Sequence, residues 1–184
     1  MEIQVLALQG DFSEHTAVLG RLGVETVEVR LPGHLGGLDG LIIPGGESTT
    51  IGKLAVDFDL MEPLREFGKS RAIWGTCAGT ILLAKNAHRA QPLLGIMDIA
   101  VRRNVFGSQA DSFEIDLDVA LFKHAHAADK PYRAIFIRAP IIECVGGNAK
   151  VVATLPDGRI VAAQQGRLLA TSFHPELSAD ARFH

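Results

Sequence analysis

The chain has 184 residues, 18 Lys and Arg against 21 Asp and Glu for a formal net charge of -3, and 47% hydrophobic residues. That suits one domain spanning 1–184, rich enough in apolar residues for strands buried on both faces, with no basic surplus for nucleic acid or an anionic membrane. Two cysteines cannot build a disulfide framework, no apolar run approaches the roughly 20 residues of a membrane span, and Met1-Glu2-Ile3 does not read as a secretory leader, so a cytoplasmic protein is expected.

Taken in order, Ile3 to Leu8 is an apolar first strand, and Gln9-Gly10-Asp11 turns into a helix from about Phe12 to Leu22. Asp11 and Glu14 have the spacing of a capping box, and Gly23 fits the helix stop. Val24 to Val29 is the second strand, a glycine-rich loop runs through Gly37, and Leu38 to Ile43 is the third strand. Pro44-Gly45-Gly46 follows, with Ser48, Thr49 or Thr50 as a helix cap; helices are predicted near Thr50 to Val56 and Leu60 to Phe67, the latter stopped by Gly68. Ala72 to Trp74 is a buried strand and Thr80 to Lys85 a helix, with Gly75-Thr76-Cys77-Ala78-Gly79 between them.

Strands alternating with helices predict a parallel, doubly wound sheet whose ligands lie beyond the carboxyl ends of the strands. After about Asn86 the texture changes. Glu114 to Val119 alternates polar with apolar, and Val151 to Leu155 and Arg159 to Gln164 flank a Pro156-Asp157-Gly158 turn, so antiparallel strands are expected. The fold class is therefore α/β: three layers, a mainly parallel central sheet flanked by helices, and added antiparallel strands in the second half. Lys123-His124-Ala125-His126 reads as a solvated loop and not a metal site, because a third ligand at suitable spacing is missing, and Cys144 reads as a packing residue.

Three segments carry chemistry. Gly-Thr-Cys-Ala-Gly is the cysteine form of the nucleophile elbow, a tight strand-to-helix turn that lifts a thiol clear of the sheet near a helix N-terminus. Leu168 to Phe173 is a strand running into His174-Pro175-Glu176; proline favours an extended His174, so 174 and 176 should point to the same side, Glu176 fixing the tautomer of an imidazole that faces Cys77. An acyl-transfer site also needs two N-H donors for the oxyanion, assigned to Gly46 and to Ala78.

With Ala7-Leu8-Gln9-Gly10, Pro44 to Thr50, Gly75 to Gly79, Arg103-Asn104-Val105-Phe106-Gly107, Phe136-Ile137-Arg138-Ala139-Pro140 and Ser172 to Leu177 in view, the sequence resembles the class I, or triad, glutamine amidotransferases. Within them it resembles the glutaminase subunits of pyridoxal 5'-phosphate synthase. The resemblance implies Cys77 as nucleophile, His174 as general base and acid, Glu176 as its orienting partner, and L-glutamine held by Gly46, Glu47, Ser48, Arg103, Ile137 and Arg138. A free amino acid has one carboxylate and one ammonium, and two arginines with a glutamate supply both signs. It also implies a synthase subunit as partner, within a ring-shaped dodecamer of heterodimers, and neither cofactor nor metal. The family continues into a last helix beyond the point, His184, where this sequence stops. Rival readings are an amidotransferase feeding a different acceptor, a cysteine peptidase, or a non-catalytic regulatory partner.

Overall fold

The structure, a computed structural model, describes residues 2–103, 112–122 and 130–184. Its first half comprises β1 (Ile3–Leu6), α1 (Phe12–Arg21), β2 (Glu28–Val29), β3 (Gly40–Ile43), α2 (Ser48–Asp57), α3 (Met61–Ser70), β4 (Ala72–Thr76) and α4 (Ala78–Leu83). The second half is mostly strand: β5 (Ala84–Asn86), β6 (Met97–Arg102), β7 (Ser112–Leu117), β8 (Tyr132–Ile137), β9 (Ile141–Val145), β10 (Lys150–Thr154), β11 (Ile160–Gln165) and β12 (Leu168–Thr171).

One sheet runs in the order β2-β1-β3-β4-β12-β11-β9-β6-β5 with β10 beside β11, and β7 pairs with β8 apart from it. The pairings from β2 through β12 are parallel, and antiparallel pairing starts where β12 meets β11. This is the α/β class read from the sequence, with the antiparallel strands in the second half.

Alternation along the strands sorts side chains onto two faces. Leu6, Ile43 and Ile73 join Ile51, Leu64, Phe67 and Leu82 of α2, α3 and α4 in one core. Val5, Ile42 and Trp74, their strand neighbours, pack against Leu19 of α1 on the opposite face, which makes three layers. Each such fully buried aliphatic side chain contributes about 1.5–3 kcal/mol of transfer free energy. A third cluster, with Tyr132, Phe136, Val161 and Phe173, joins the β7–β8 pair to the large sheet.

Several boundaries differ from expectation. The second strand shrinks to Glu28–Val29, because it pairs with β1 only at those two residues and Val27 is 60% exposed at the sheet edge. The helix after Cys77 stops at Leu83, and Lys85 lies in β5. Gly68 does not end α3, which runs on to Ser70; its missing side chain lets Ile96 pack against the helix. Cys144 is exposed and not a packing residue. Asn104 to Gly107 and Lys123 to His126 lie outside the described residues. Among the described residues, no helix is long and apolar enough to cross a membrane.

Candidate active site

β4 sits between β3 and β12 in the parallel half of the sheet and delivers Cys77 at its carboxyl end. The backbone there adopts φ 45°, ψ -101°, a conformation unfavourable for a residue with a Cβ and persisting only where its surroundings over-determine it. Hydrogen bonds do so: Cys77 N-H donates to Thr171 O at 2.8 Å, and the Thr80 hydroxyl, with one hydrogen shared between two carbonyl oxygens, lies 3.0 Å from Gly75 O and 2.8 Å from Thr171 O. The elbow also presses so close to β3 that a Cβ on Gly79 would run into the Ile43 carbonyl oxygen. Glycine is required by contact as well as by turning.

Cys77 is buried apart from its opening into a cavity of about 420 Å³, which Gln9, Gly46, Glu47, Ser48, Ala78, Arg103, Ile137, Arg138 and His174 also line. All the residues expected at the site therefore gather at one cavity, Glu176 lying directly behind His174. α4 has only six residues, so its dipole offers a thiolate less than a full helix would, and the imidazole matters more.

His174 follows β12, its backbone N-H tied to Ile135 O at 2.8 Å, with φ -107° and ψ 84°. Here the local path differs from expectation. Pro175 opens a 3-10 turn over Pro175–Leu177, and this turn, not strand alternation, folds Glu176 back beneath the ring. His174 Nδ1 lies 2.6 Å from Glu176 Oε1, with both side chains almost wholly buried. An ionised carboxylate only accepts, so Nδ1 carries the hydrogen. Nε2 has no hydrogen-bond partner among the described residues. Burial disfavours the charged ring, but the neighbouring Cys77 sulfur and the Glu176 carboxylate outweigh it and push the His174 pKa up to about 10.

Asp11 does not close a capping box on α1, for its side chain makes no cap hydrogen bond. Its carboxylate lies 3.5 Å from His174 Nδ1 instead. A Cβ on Gly45 would stand 2.7 Å from His174 Cε1 and 2.8 Å from Asp11 Oδ2, so only bare backbone fits against the ring. Asp11, His174 and Glu176 have ligand atoms within 4.8 Å of one another and could hold a metal, at the cost of the His174–Glu176 hydrogen bond.

The Gly45–Gly46 peptide is fixed by Asp11 N-H, which donates to Gly45 O at 3.1 Å, while Gly46 has φ +147°. In a trans peptide the Gly46 N-H points opposite to that carbonyl.

At the cavity's other end Glu47, not Ser48, Thr49 or Thr50, caps α2: its Oε2 accepts from Thr50 N-H at 2.8 Å and from the Thr50 hydroxyl at 3.0 Å. Its Oε1 accepts from Arg103 at 2.9 Å, and its own N-H donates to Gln9 Oε1 at 2.8 Å. Partial burial works to raise the Glu47 pKa, yet the bonds from Thr50, Thr49 and Arg103 prevail and bring it down to about 2. Arg103 also reaches Gln91 Oε1 at 3.3 Å, and Gln91 Nε2 donates to Ser48 Oγ at 3.2 Å. Arg138, at φ +43°, is exposed on the rim. Reading the sequence missed Gln91, which sits in an irregular stretch without periodicity or motif. Gln9 stood in a quoted segment but received no role.

A cysteine on a strand-to-helix elbow, with a buried His-Glu pair at the end of the adjacent parallel strand, defines an α/β protein of the glutamine amidotransferase type. The chain belongs to the SNO glutamine amidotransferase family, whose description matches residues 5–184. It is 57% identical over 189 aligned positions to the pyridoxal 5'-phosphate synthase subunit PdxT of Herpetosiphon aurantiacus, covering all of this chain and 97% of that one. It is 52% identical to the subunit of the same name from Pelotomaculum thermopropionicum, covering 92% of that chain. A crystal structure of a glutamine amidotransferase superposes with a TM-score of 0.91 at 46% identity, covering all of this chain and 95% of that one. PurLQS from Thermotoga maritima, at 18% identity and a TM-score of 0.72 over 97% of this chain and 89% of its own, shares the fold.

Proposed function

We propose that this chain is the glutaminase subunit of a pyridoxal 5'-phosphate synthase, hydrolysing L-glutamine and passing the ammonia to a synthase partner. The observation that carries the chemistry is the buried His174 Nδ1–Glu176 Oε1 contact of 2.6 Å beside Cys77, at a cavity roomy enough to admit a free amino acid. Relatives at 50–57% identity over the whole chain supply the acceptor pathway.

In this reading the Cys77 thiolate adds to the side-chain amide carbon, and the N-H groups of Gly46 and Ala78 hold the oxyanion. His174, as imidazolium, gives its Nε2 proton to the leaving nitrogen, and ammonia departs to leave a thioester. The neutral ring then takes a proton from water as the water adds to the thioester carbon, and collapse releases glutamate and returns the sulfur as thiolate beside an imidazolium. Glu176 stays ionised and holds the ring's tautomer. Arg103 and Arg138 face the substrate carboxylate, and Glu47 its ammonium, with Ser48 and the backbone at Gly46 and Ile137 fixing its orientation. The remaining expectations stand as part of the proposal: one domain over 1–184, a cytoplasmic setting, no cofactor, and a ring-shaped dodecamer of heterodimers with the synthase.

Glutamine hydrolysis by the complex tests it, together with labelling by a glutamine-like chloroketone. Stoichiometric modification at Cys77, blocked by glutamine, is expected. Labelling elsewhere, or turnover that survives Cys77→Ala, would overturn the assignment.

A further inference from the structure

Behind Glu176, on the side away from His174, lies a histidine to which the mechanism assigns no part. His15 of α1 is wholly buried. Its Nε2 lies 3.3 Å from Glu176 Oε2 and 3.2 Å from Thr76 Oγ1, and its Nδ1 lies 2.9 Å from His184 Nε2. One side chain thus touches the carboxylate behind the base, the residue preceding the nucleophile, and the 3-10 turn over Ala181–Phe183 through His184. Oε2 is a buried carboxylate oxygen that makes no hydrogen bond among the described residues; His15 Nε2, hydrogen-bonded to Thr76 Oγ1, is the nitrogen that stands against it at 3.3 Å, and such an oxygen is costly to bury unless a polar group faces it.

We propose that His15 is a positioning residue for glutamine hydrolysis: its Nε2-H, hydrogen-bonded to Thr76 Oγ1 and standing 3.3 Å from Glu176 Oε2, faces that oxygen with the positive end of the N-H dipole and sets the carboxylate so that Oε1 meets His174 Nδ1. This rests on the Cys77-His174-Glu176 reading above. The hydrogen positions follow from one constraint. Glu176, ionised, only accepts, and a bare nitrogen lone pair 3.3 Å from its oxygen would repel it, so Nε2 of His15 carries the proton. A neutral His15 then accepts at Nδ1, which requires His184 to donate from Nε2. Burial, with the neighbouring His184 and His174 rings, holds His15 well below the ordinary imidazole range, and burial and Arg21 bring His184 down to about 4, so both are neutral under ordinary conditions. A charged His15 would pull the carboxylate away from His174, whereas a neutral donor orients it and leaves its charge for the imidazolium. The Nε2 hydrogen bond to Thr76 Oγ1 ties the ring, and with it the group facing Oε2, to the strand carrying Cys77.

His15 also packs edge-on against Trp74, with centroids 5.8 Å apart, so a purely structural role is the competing account. Two measurements separate them. In ¹⁵N-histidine spectra of the complete chain, His15 should show a protonated Nε2 and a bare Nδ1; the opposite tautomer overturns the proposal. With the synthase subunit present, His15→Leu should lower kcat for glutamine by about 10- to 100-fold with KM held within about twofold. His15→Gln, whose amide N-H reaches where Nε2 stood, should recover most of that loss. A folded His15→Leu with wild-type kcat, or a folded His15→Gln as impaired as the leucine variant, overturns it. Should the leucine variant fail to fold, the wild-type tautomer and the glutamine variant decide. Wild-type protein that fails to hydrolyse glutamine would sink the functional reading, while the His15 spectrum still speaks for or against the Glu176 contact.

Discussion

Cys77 is held in a strained conformation by hydrogen bonds that do not involve its sulfur, so the thiol can be removed without releasing the elbow. Cys77→Ala should therefore lower glutamine turnover by on the order of 10⁴-fold or more while the far-ultraviolet spectrum and urea midpoint stay near wild type. Residual turnover close to wild type would mean another nucleophile. The His174 environment sets the pH dependence. Its imidazolium is favoured, the pKa being raised from 6.5 to about 10, so the proton the leaving nitrogen needs is present throughout the neutral range and is lost only as pH rises through about 10. In kcat/KM profiles for glutamine the alkaline limb should fall near 10; a limb near 6.5 would show that the ring feels neither Cys77 nor Glu176.

At the scale of elements, α2 shows how binding and folding share a residue. Glu47 caps the helix and holds Arg103 with the same carboxylate, its two oxygens divided between them. Its folded pKa is depressed from 4.5 to about 2, so its contribution to stability is fully present above 4.5 and lost as pH falls through about 2. The difference in urea midpoint between wild type and Glu47→Ala should hold steady above that window and shrink within it. A difference that does not change with pH would show that the carboxylate's charge contributes nothing. The elbow offers a steric counterpart: Gly79→Ala drives a methyl into the Ile43 carbonyl and should cost about 1–3 kcal/mol by denaturant titration, with unchanged stability showing that β3 can yield.

These elements also mark how far the sequence could be read. The elbow was legible because strand, glycine pair and helix are local and each leaves a compositional trace. The sheet's division into parallel and antiparallel halves was legible from the change in periodicity near Asn86. The caps were not, because Asp11 and Glu47 are drawn into contacts with His174 and Arg103, far from them in sequence. Likewise the short turn at Pro175–Leu177 replaces the extended geometry that proline alone favours and brings Glu176 Oε1 onto His174 Nδ1, while Oε2 faces the wholly buried His15, a residue that gives no signal among the apolar positions of α1.

Over the whole molecule, the three cores share the strands of one sheet, and Phe173 of the third stands one residue before His174. Loss of either half should therefore dismantle the site, and calorimetry should show one cooperative transition; two separated transitions would divide the chain into two domains. The cavity, by contrast, is open on one side. Leu177, 45% exposed, and the strained, exposed Arg138 stand at its rim, and the Gly45–Gly46 peptide, half of the proposed oxyanion site, is held among the described residues by the 3.1 Å bond from Asp11 N-H. Two adjacent glycines impose no side-chain barrier on that peptide, so a protein docked over the rim that displaces the Asp11 bond can select the orientation that aims Gly46 N-H at the developing oxyanion. One oxyanion donor is worth a factor of about 10² to 10³ in rate. Glutaminase activity of the isolated chain should accordingly be low and rise by about that factor when the synthase subunit is added, with kcat changing more than KM. Equal rates with and without the partner would show that the donors are already in place, and that ammonia release is not gated by assembly.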